Sequence, residues 1–122
     1  MNVNTYKQGD RDERPWGNWL VYDVLPHAVV KKIEILPGRR ISLQRHQHRS
    51  ERWIVVEGIA SVSRDKEQLT VHAGESVFIP CQSIHRLANN GTDLLVIIEI
   101  QYGDYLSEKD IERFTDDYGR VD

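Results

Sequence analysis

The feature that most constrains this chain is a cadence of short apolar runs, each cut off by a turn signal before it could become a helix. The runs fall at 20–24, 29–36, 42–47, 53–56, 59–63, 69–71, 76–79, 85–88 and 94–101. They are rich in Val and Ile, whose branched side chains suit a pleated surface. The breaks are Leu25-Pro26, Pro37-Gly38, Glu57-Gly58, Asp65-Lys66, Ala73-Gly74, Pro80 and Asn89-Asn90-Gly91. At these positions Pro removes a backbone donor, while Gly and Asn accept conformations that other residues resist. Many short strands at this spacing predict an all-β sandwich or barrel. A helical signal enters only at Ser107-Glu108-Lys109-Asp110, where Ser107 reads as an N-cap with acids in the first turn. The expectation is a short C-terminal helix over 107–117, with Ile111 and Phe114 facing the body. The polar segment 1–15 gains order only by packing against something else. No repeat or linker interrupts the chain, so 1–122 is expected to be a single domain.

Charge and cysteine usage exclude several function classes. The net charge is −3 with both signs mixed, which gives no basic face for nucleic acid. The single cysteine, Cys81, cannot form an internal disulfide. The apolar stretch 94–98 is far too short to cross a membrane, and the charged N-terminus lacks the apolar core of a signal peptide. A soluble, cytoplasmic protein without a nucleic-acid or membrane partner is expected.

The chemistry is concentrated in Pro37-Gly38-Arg39-Arg40-Ile41-Ser42-Leu43-Gln44-Arg45-His46-Gln47-His48-Arg49-Ser50-Glu51. On a strand, residues two apart share a face, so Gln44, His46 and His48 point the same way. The spacing to distant residues then resembles the two-part cupin motif. Five residues separate Gly38 from Gln44, four separate His46 from Glu51, and six separate Glu51 from Gly58. In the second half, five residues separate Gly74 from Pro80, and His85 and Asn89 follow. Pairing His46 with His48 would leave two residues before Glu51 and break the pattern. The resemblance therefore implies a single cupin (jelly-roll) β-barrel that holds one divalent ion through Gln44, His46, Glu51 and His85, with Gln44 in place of the usual first histidine. Two imidazoles, a carboxylate and an amide oxygen suit Zn²⁺ first, with Mn²⁺, Fe²⁺, Co²⁺ and Ni²⁺ compatible.

Longer words narrow the resemblance. Arg14-Pro15-Trp16-Gly17, the run from Ser42 to Gly58, Ile79-Pro80, His85-Arg86-Leu87, the run from Ile98 to Leu106 and the closing Asp117-Tyr118-Gly119-Arg120 look like the type II phosphomannose isomerase domain. In that family the domain is commonly the C-terminal part of a longer chain that begins with a guanylyltransferase. The resemblance implies a metal-dependent aldose–ketose isomerase for mannose 6-phosphate and fructose 6-phosphate, acting within GDP-mannose biosynthesis, and a homodimer. The chain departs from the family word at Ser50, at Arg52, which replaces a histidine with a fixed cation, and at Gln82.

Such a reaction needs a base, a stabiliser for a developing oxyanion and an anchor for the phosphate. Arg49, Arg86 and Lys31 are the candidates for phosphate and enediolate contacts, and by resemblance Arg49 is the catalytic one. His48, on the ligand face, is the simplest base, and Glu99 could serve as well. Two rivals use the same residues: a non-catalytic cupin that binds a sugar phosphate, and a non-haem iron dioxygenase built on His46, Glu51 and His85. Trp16, beside a Pro-Trp-Gly loop, is the tryptophan placed to line a pocket.

Overall fold

The computed structural model describes residues 2–119, so Arg120 of the closing word and both ends of the 1–122 span lie outside the described residues. The strands are β1 (Val3–Asn4), β2 (Arg11–Arg14), β3 (Gly17–Leu25), β4 (Ala28–Ile35), β5 (Leu43–Arg45), β6 (Arg49–Glu57), β7 (Ile59–Arg64), β8 (Glu67–His72), β9 (Ser76–Ile79), β10 (His85–Ala88), β11 (Leu95–Gly103), β12 (Tyr105–Leu106) and β13 (Glu112–Thr115). The described chain is all-β. One sheet has six strands in the order β2-β3-β4-β11-β6-β9, and a second has five in the order β13-β5-β10-β7-β8. A parallel pair, β1 with β12, ties the N-terminal segment to the body. The two large sheets do not close on one another.

The alternation in β4 and β6 explains the architecture. On β4, Val29, Lys31, Ile33 and Ile35 are buried while their neighbours are half-exposed, and on β6 Arg49, Glu51, Trp53 and Val55 are buried. Period-two burial of this kind is what a sheet with one face on a core produces. Trp19, Trp53, Val55, Ile35, Ile97, Leu87 and Ile79 belong to that core. The inner face is not wholly apolar. Lys31, Glu99 and Trp53 sit side by side across β4, β11 and β6, and Gln101 lies beside Glu51 in the next inward row. A polar stripe therefore runs through the interior.

Two expectations are corrected here. No C-terminal helix forms. Ser107 to Asp110 is one hydrogen-bonded turn, in which the Ser107 hydroxyl accepts from the Lys109 amide at 3.1 Å. The chain then enters β13 and pairs with β5. A first helical turn is costly to nucleate, and here the Asp110 carboxylate is drawn away to the amides of Gln47 and His48. The 42–47 strand is also shorter than expected. It ends at Arg45, and His46 to His48 turn off the sheet, so their alternation is lost.

Gly103 faces Arg49 across β11 and β6, and a Cβ there would stand 2.3 Å from the His48 carbonyl oxygen. Only glycine allows this approach, which brings the start of β6 against β11. Asn89 closes the opposite end. It is fully buried, donates to the carbonyls of Ile35 and Asp93 at 2.8 Å each, and accepts from the Gly91 amide at 3.0 Å. Asn89→Ala strands all three groups. It should cost about 2–3 kcal/mol of stability, read as a lowered urea midpoint at unchanged m-value. A loss below about 0.5 kcal/mol would mean that the amide is not the organiser of this turn.

Candidate metal centre

Three side chains converge between the sheets. His46 follows β5, Glu51 is the third residue of β6, and His85 opens β10. All three are buried, and a donor atom of each lies within 4.8 Å of the others. His46 Nε2 is 3.3 Å from Glu51 Oε2, and His85 Nε2 is 3.9 Å from Glu51 Oε1. An ion about 2.1 Å from each donor would hold neighbouring donors roughly 3.0–3.4 Å apart; His46 and Glu51 already stand at that spacing, and His85, at 3.9 Å, would have to draw closer.

The imidazoles are oriented for this. His46 Nδ1 is 2.7 Å from the Asp110 carbonyl and His85 Nδ1 is 2.9 Å from the Ser83 carbonyl. A carbonyl only accepts, so each Nδ1 carries the proton and each Nε2 presents a lone pair towards Glu51. His85 Nε2 has no hydrogen-bond partner among the described residues. A buried lone pair without a partner is expensive, and a backbone carbonyl on the far nitrogen is the usual support of a metal-bound histidine. The residues present fit a divalent ion. Gln44 lies directly opposite His85 in the β5–β10 pairing and lines the same pocket. Its amide nitrogen is committed to Ser42, at 3.3 Å to the carbonyl and 3.2 Å to the hydroxyl, so the donor it can offer is Oε1.

Charge around the cluster is tightly paired. Burial pushes Glu51 up, but Arg49, with the neighbouring His85 and hydrogen bonds from Arg49 and Glu99, brings it below the usual carboxylate range. Burial, then the neighbouring Glu51 charge, raises Glu99. Two adjacent carboxylates whose acidities are driven apart can take different roles. Burial, then Arg49 and His85, lowers His46, so its ring stays neutral and ready to ligate. Burial opposes the charge on Arg49, but Glu51 leads the groups that hold it on. Its guanidinium donates to Glu51 Oε2 at 2.8 Å and to the Ser107 carbonyl at 3.1 Å, and faces His46 Nε2 at 3.3 Å.

The other expected site residues divide. Lys31 is buried in the same pocket, ion-paired to Glu108 at 2.9 Å and lying over the Trp19 ring at 4.1 Å. Glu99 lines the pocket too, accepting from Gln101 at 2.7 Å and from Trp53 at 3.2 Å. Trp16 lines it as expected. His48 and Arg86 do not. His48 is exposed and edge-on to Tyr105, in a separate depression with Asp104, because Asp110 turns the chain outward there. Arg86 donates to the carbonyls of Ile41 and Thr115, so it braces backbone outside the pocket.

Sequence reasoning missed Tyr6, Gln101, Glu108 and Asp110. Gln101 was legible as the inward residue two after Glu99. The others sit in the segment read as polar and the segment read as a helix, and no local pattern marked them. Asp110 does most for the centre: its carboxylate accepts from the amides of Gln47 at 2.9 Å and His48 at 3.0 Å while its carbonyl orients His46. His46→Ala should abolish metal retention. Asp110→Ala should weaken divalent-metal affinity about 10–100-fold, measured by competition with a chromophoric chelator. An unchanged affinity would show that the clamp does not orient His46.

The fold resembles solved structures of low identity. It matches a Bacillus subtilis oxalate decarboxylase mutant with a TM-score of 0.74, at 19% identity, over 86% of this chain and 30% of that one. It matches the cupin domain of Schizosaccharomyces pombe Cnp3 with a TM-score of 0.67, at 11% identity, over 71% and 64%. The fold is thus cupin-like. Among curated proteins, the chain is 50% identical to the alginate biosynthesis protein AlgA of Pseudomonas aeruginosa, over 88% of its own length and 22% of the relative's. It is 43% identical to a mannose-1-phosphate guanylyltransferase of Escherichia coli, over 88% and 23%. The chain therefore spans less than a quarter of these relatives. That corrects the expectation of a metal-dependent aldose–ketose isomerase interconverting mannose 6-phosphate and fructose 6-phosphate: the relatives are longer proteins named for polymer biosynthesis and guanylyl transfer, and this chain matches one portion of them. The family model described as "Mannose-6-phosphate isomerase C-terminal" matches residues 2–116, and the chain belongs to that family.

Proposed function

We propose that this chain is the metal-holding, substrate-handling portion of a mannose-phosphate-metabolising enzyme, performing acid–base work on a phosphorylated sugar. One arrangement carries the reading: a buried carboxyl held above the usual carboxylate range, Glu99, stands beside Glu51, whose two flanking imidazoles aim their lone pairs inward. The surrounding cavity is small, about 70 Å³, and opens to solvent.

His46, Glu51 and His85 would hold the ion, with Gln44 as a fourth donor, and Zn²⁺ is the first choice for this set. A bound divalent ion would supply Lewis acidity to a sugar oxygen. The chain's own residues do the rest. Glu99 keeps its proton more readily than an ordinary carboxyl, so it can take a proton from carbon and return it near neutral pH. Lys31 and Arg49 place fixed positive charge where a sugar oxygen would gain negative charge. Trp16, Trp19, Ile33 and Ile41 wall the cavity, and a drier site strengthens each of these interactions.

Incubating the metal-loaded chain with phosphorylated hexoses in deuterated water tests this. Proton exchange at the carbon beside the carbonyl should appear by NMR and vanish with chelator. Glu99→Gln should slow exchange about 10²–10⁴-fold at unchanged metal content. A fully metal-loaded protein that exchanges no carbon-bound proton from any of these sugars would end the acid–base reading.

A further inference from the structure

With Arg86 braced against backbone, the pocket needs another place for the charged end of a ligand. Two further arginines line its wall: Arg14, the last residue of β2, and Arg113, on β13. Both are half-buried, and they come from the edge strands of the two large sheets.

The strand register points Arg113 inward. Gln44 is paired with His85 on one side and with Arg113 on the other. Residues directly opposite one another in antiparallel strands share a face. Arg113 therefore stands on the same face as His85, two strand spacings or about 10 Å away at the backbone. Its neighbours turn outward onto Arg45: Glu112 pairs with it at 2.6 Å, and Phe114 stacks under it at 5.4 Å. Arg14 contacts Asp12 at 3.0 Å, but the pair is 28% and 44% exposed. Solvent leaves such a pair worth little, so Arg14 can re-engage a ligand at small cost. The deeper cations are held more firmly, Lys31 by Glu108 at 2.9 Å and Arg49 by Glu51 at 2.8 Å.

We propose that Arg113 and Arg14 form an anion-binding mouth that takes the phosphate of a phosphorylated sugar, while the sugar's oxygen end reaches the His46–Glu51–His85 cluster. The sugar in this statement rests on the function proposed above; the anion site does not. A guanidinium fork matches two oxygens of a phosphate at once, which a lysine cannot do. The mouth thus sets specificity by charge and distance, selecting ligands whose anionic group lies one cavity length from the oxygens that meet the metal donors.

The test is titration calorimetry on the metal-loaded full chain, with inorganic phosphate, mannose 6-phosphate and unphosphorylated mannose as probes. Arg113→Ala should weaken inorganic phosphate and mannose 6-phosphate about 10–100-fold, and Arg14→Ala should weaken them less. Metal content should stay at the wild-type level, which also reports an intact fold. Arg113→Lys should recover part of the loss. Arg11→Ala removes the same charge from an exposed residue of the same strand, whose side chain is 70% exposed, and should change nothing. The proposal is overturned if wild-type protein binds no phosphate, or if the Arg14→Ala/Arg113→Ala double variant binds it as tightly as wild type. If phosphate binding depends on these arginines but mannose 6-phosphate binds no tighter than phosphate itself, the mouth stands and the sugar-phosphate reading falls.

Discussion

A carboxylate taken out of water must find its hydrogen bonds and countercharge in the protein, and Glu51 does so from every side. Arg49 donates to one oxygen at 2.8 Å and the Trp53 indole to the other at 3.0 Å. The two histidine Nε2 atoms flank it at 3.3 and 3.9 Å. An unpaired buried carboxylate would cost several kcal/mol, so Arg49 and Trp53 are held in place by the need to satisfy it. The donor atoms gathered around it come from both large sheets, since His85 belongs to the five-stranded sheet and Glu51 to the six-stranded one. A site anchored this way also joins the two layers.

The same carboxylate organises the groups around it. After burial, its charge is the main cause that raises Glu99, and it leads the groups that hold the guanidinium of Arg49 charged. A second pair repeats the device nearer the mouth: Lys31 holds Glu108 down to about 2 against the burial that would raise it. Tyr6 hydrogen-bonds to Glu108 and lies within 3.5 Å of both Arg49 and Gln101. The N-terminal segment is thereby packed against the charged interior, and pairing of Val3 and Asn4 with β12 fixes it there.

Much of the fold and the core of the site were legible because both rest on local chemistry. Ser76–Ile79 and His85–Ala88 form as read, since a short β-branched run between turn signals has few alternatives. His46, Glu51 and His85 emerged from the resemblance of their spacing to the cupin motif, and they meet in space. The failures share a cause. Ser107 and its acids imitate a helix cap, but the capping groups bond across the fold instead, Asp110 to the 46–48 turn and Glu108 to Lys31. His48 followed from strand alternation that stops at Arg45 because Asp110 pulls the chain away. Arg113 faces the pocket through its pairing with Gln44, and pairing partners distant in sequence leave no local pattern.

The extent of the match to longer relatives bears on what the chain's own residues accomplish. The three donors, both carbonyls that orient the imidazoles, the raised carboxyl of Glu99 and the cations of the pocket all lie between Arg14 and Arg113. The family model spans that whole interval. The contacts that orient the donors and those that raise Glu99 are therefore supplied within the matched interval. The edge strands β2 and β13 present Arg14 and Arg113 at the pocket wall, and a sheet edge is where added chain can pair.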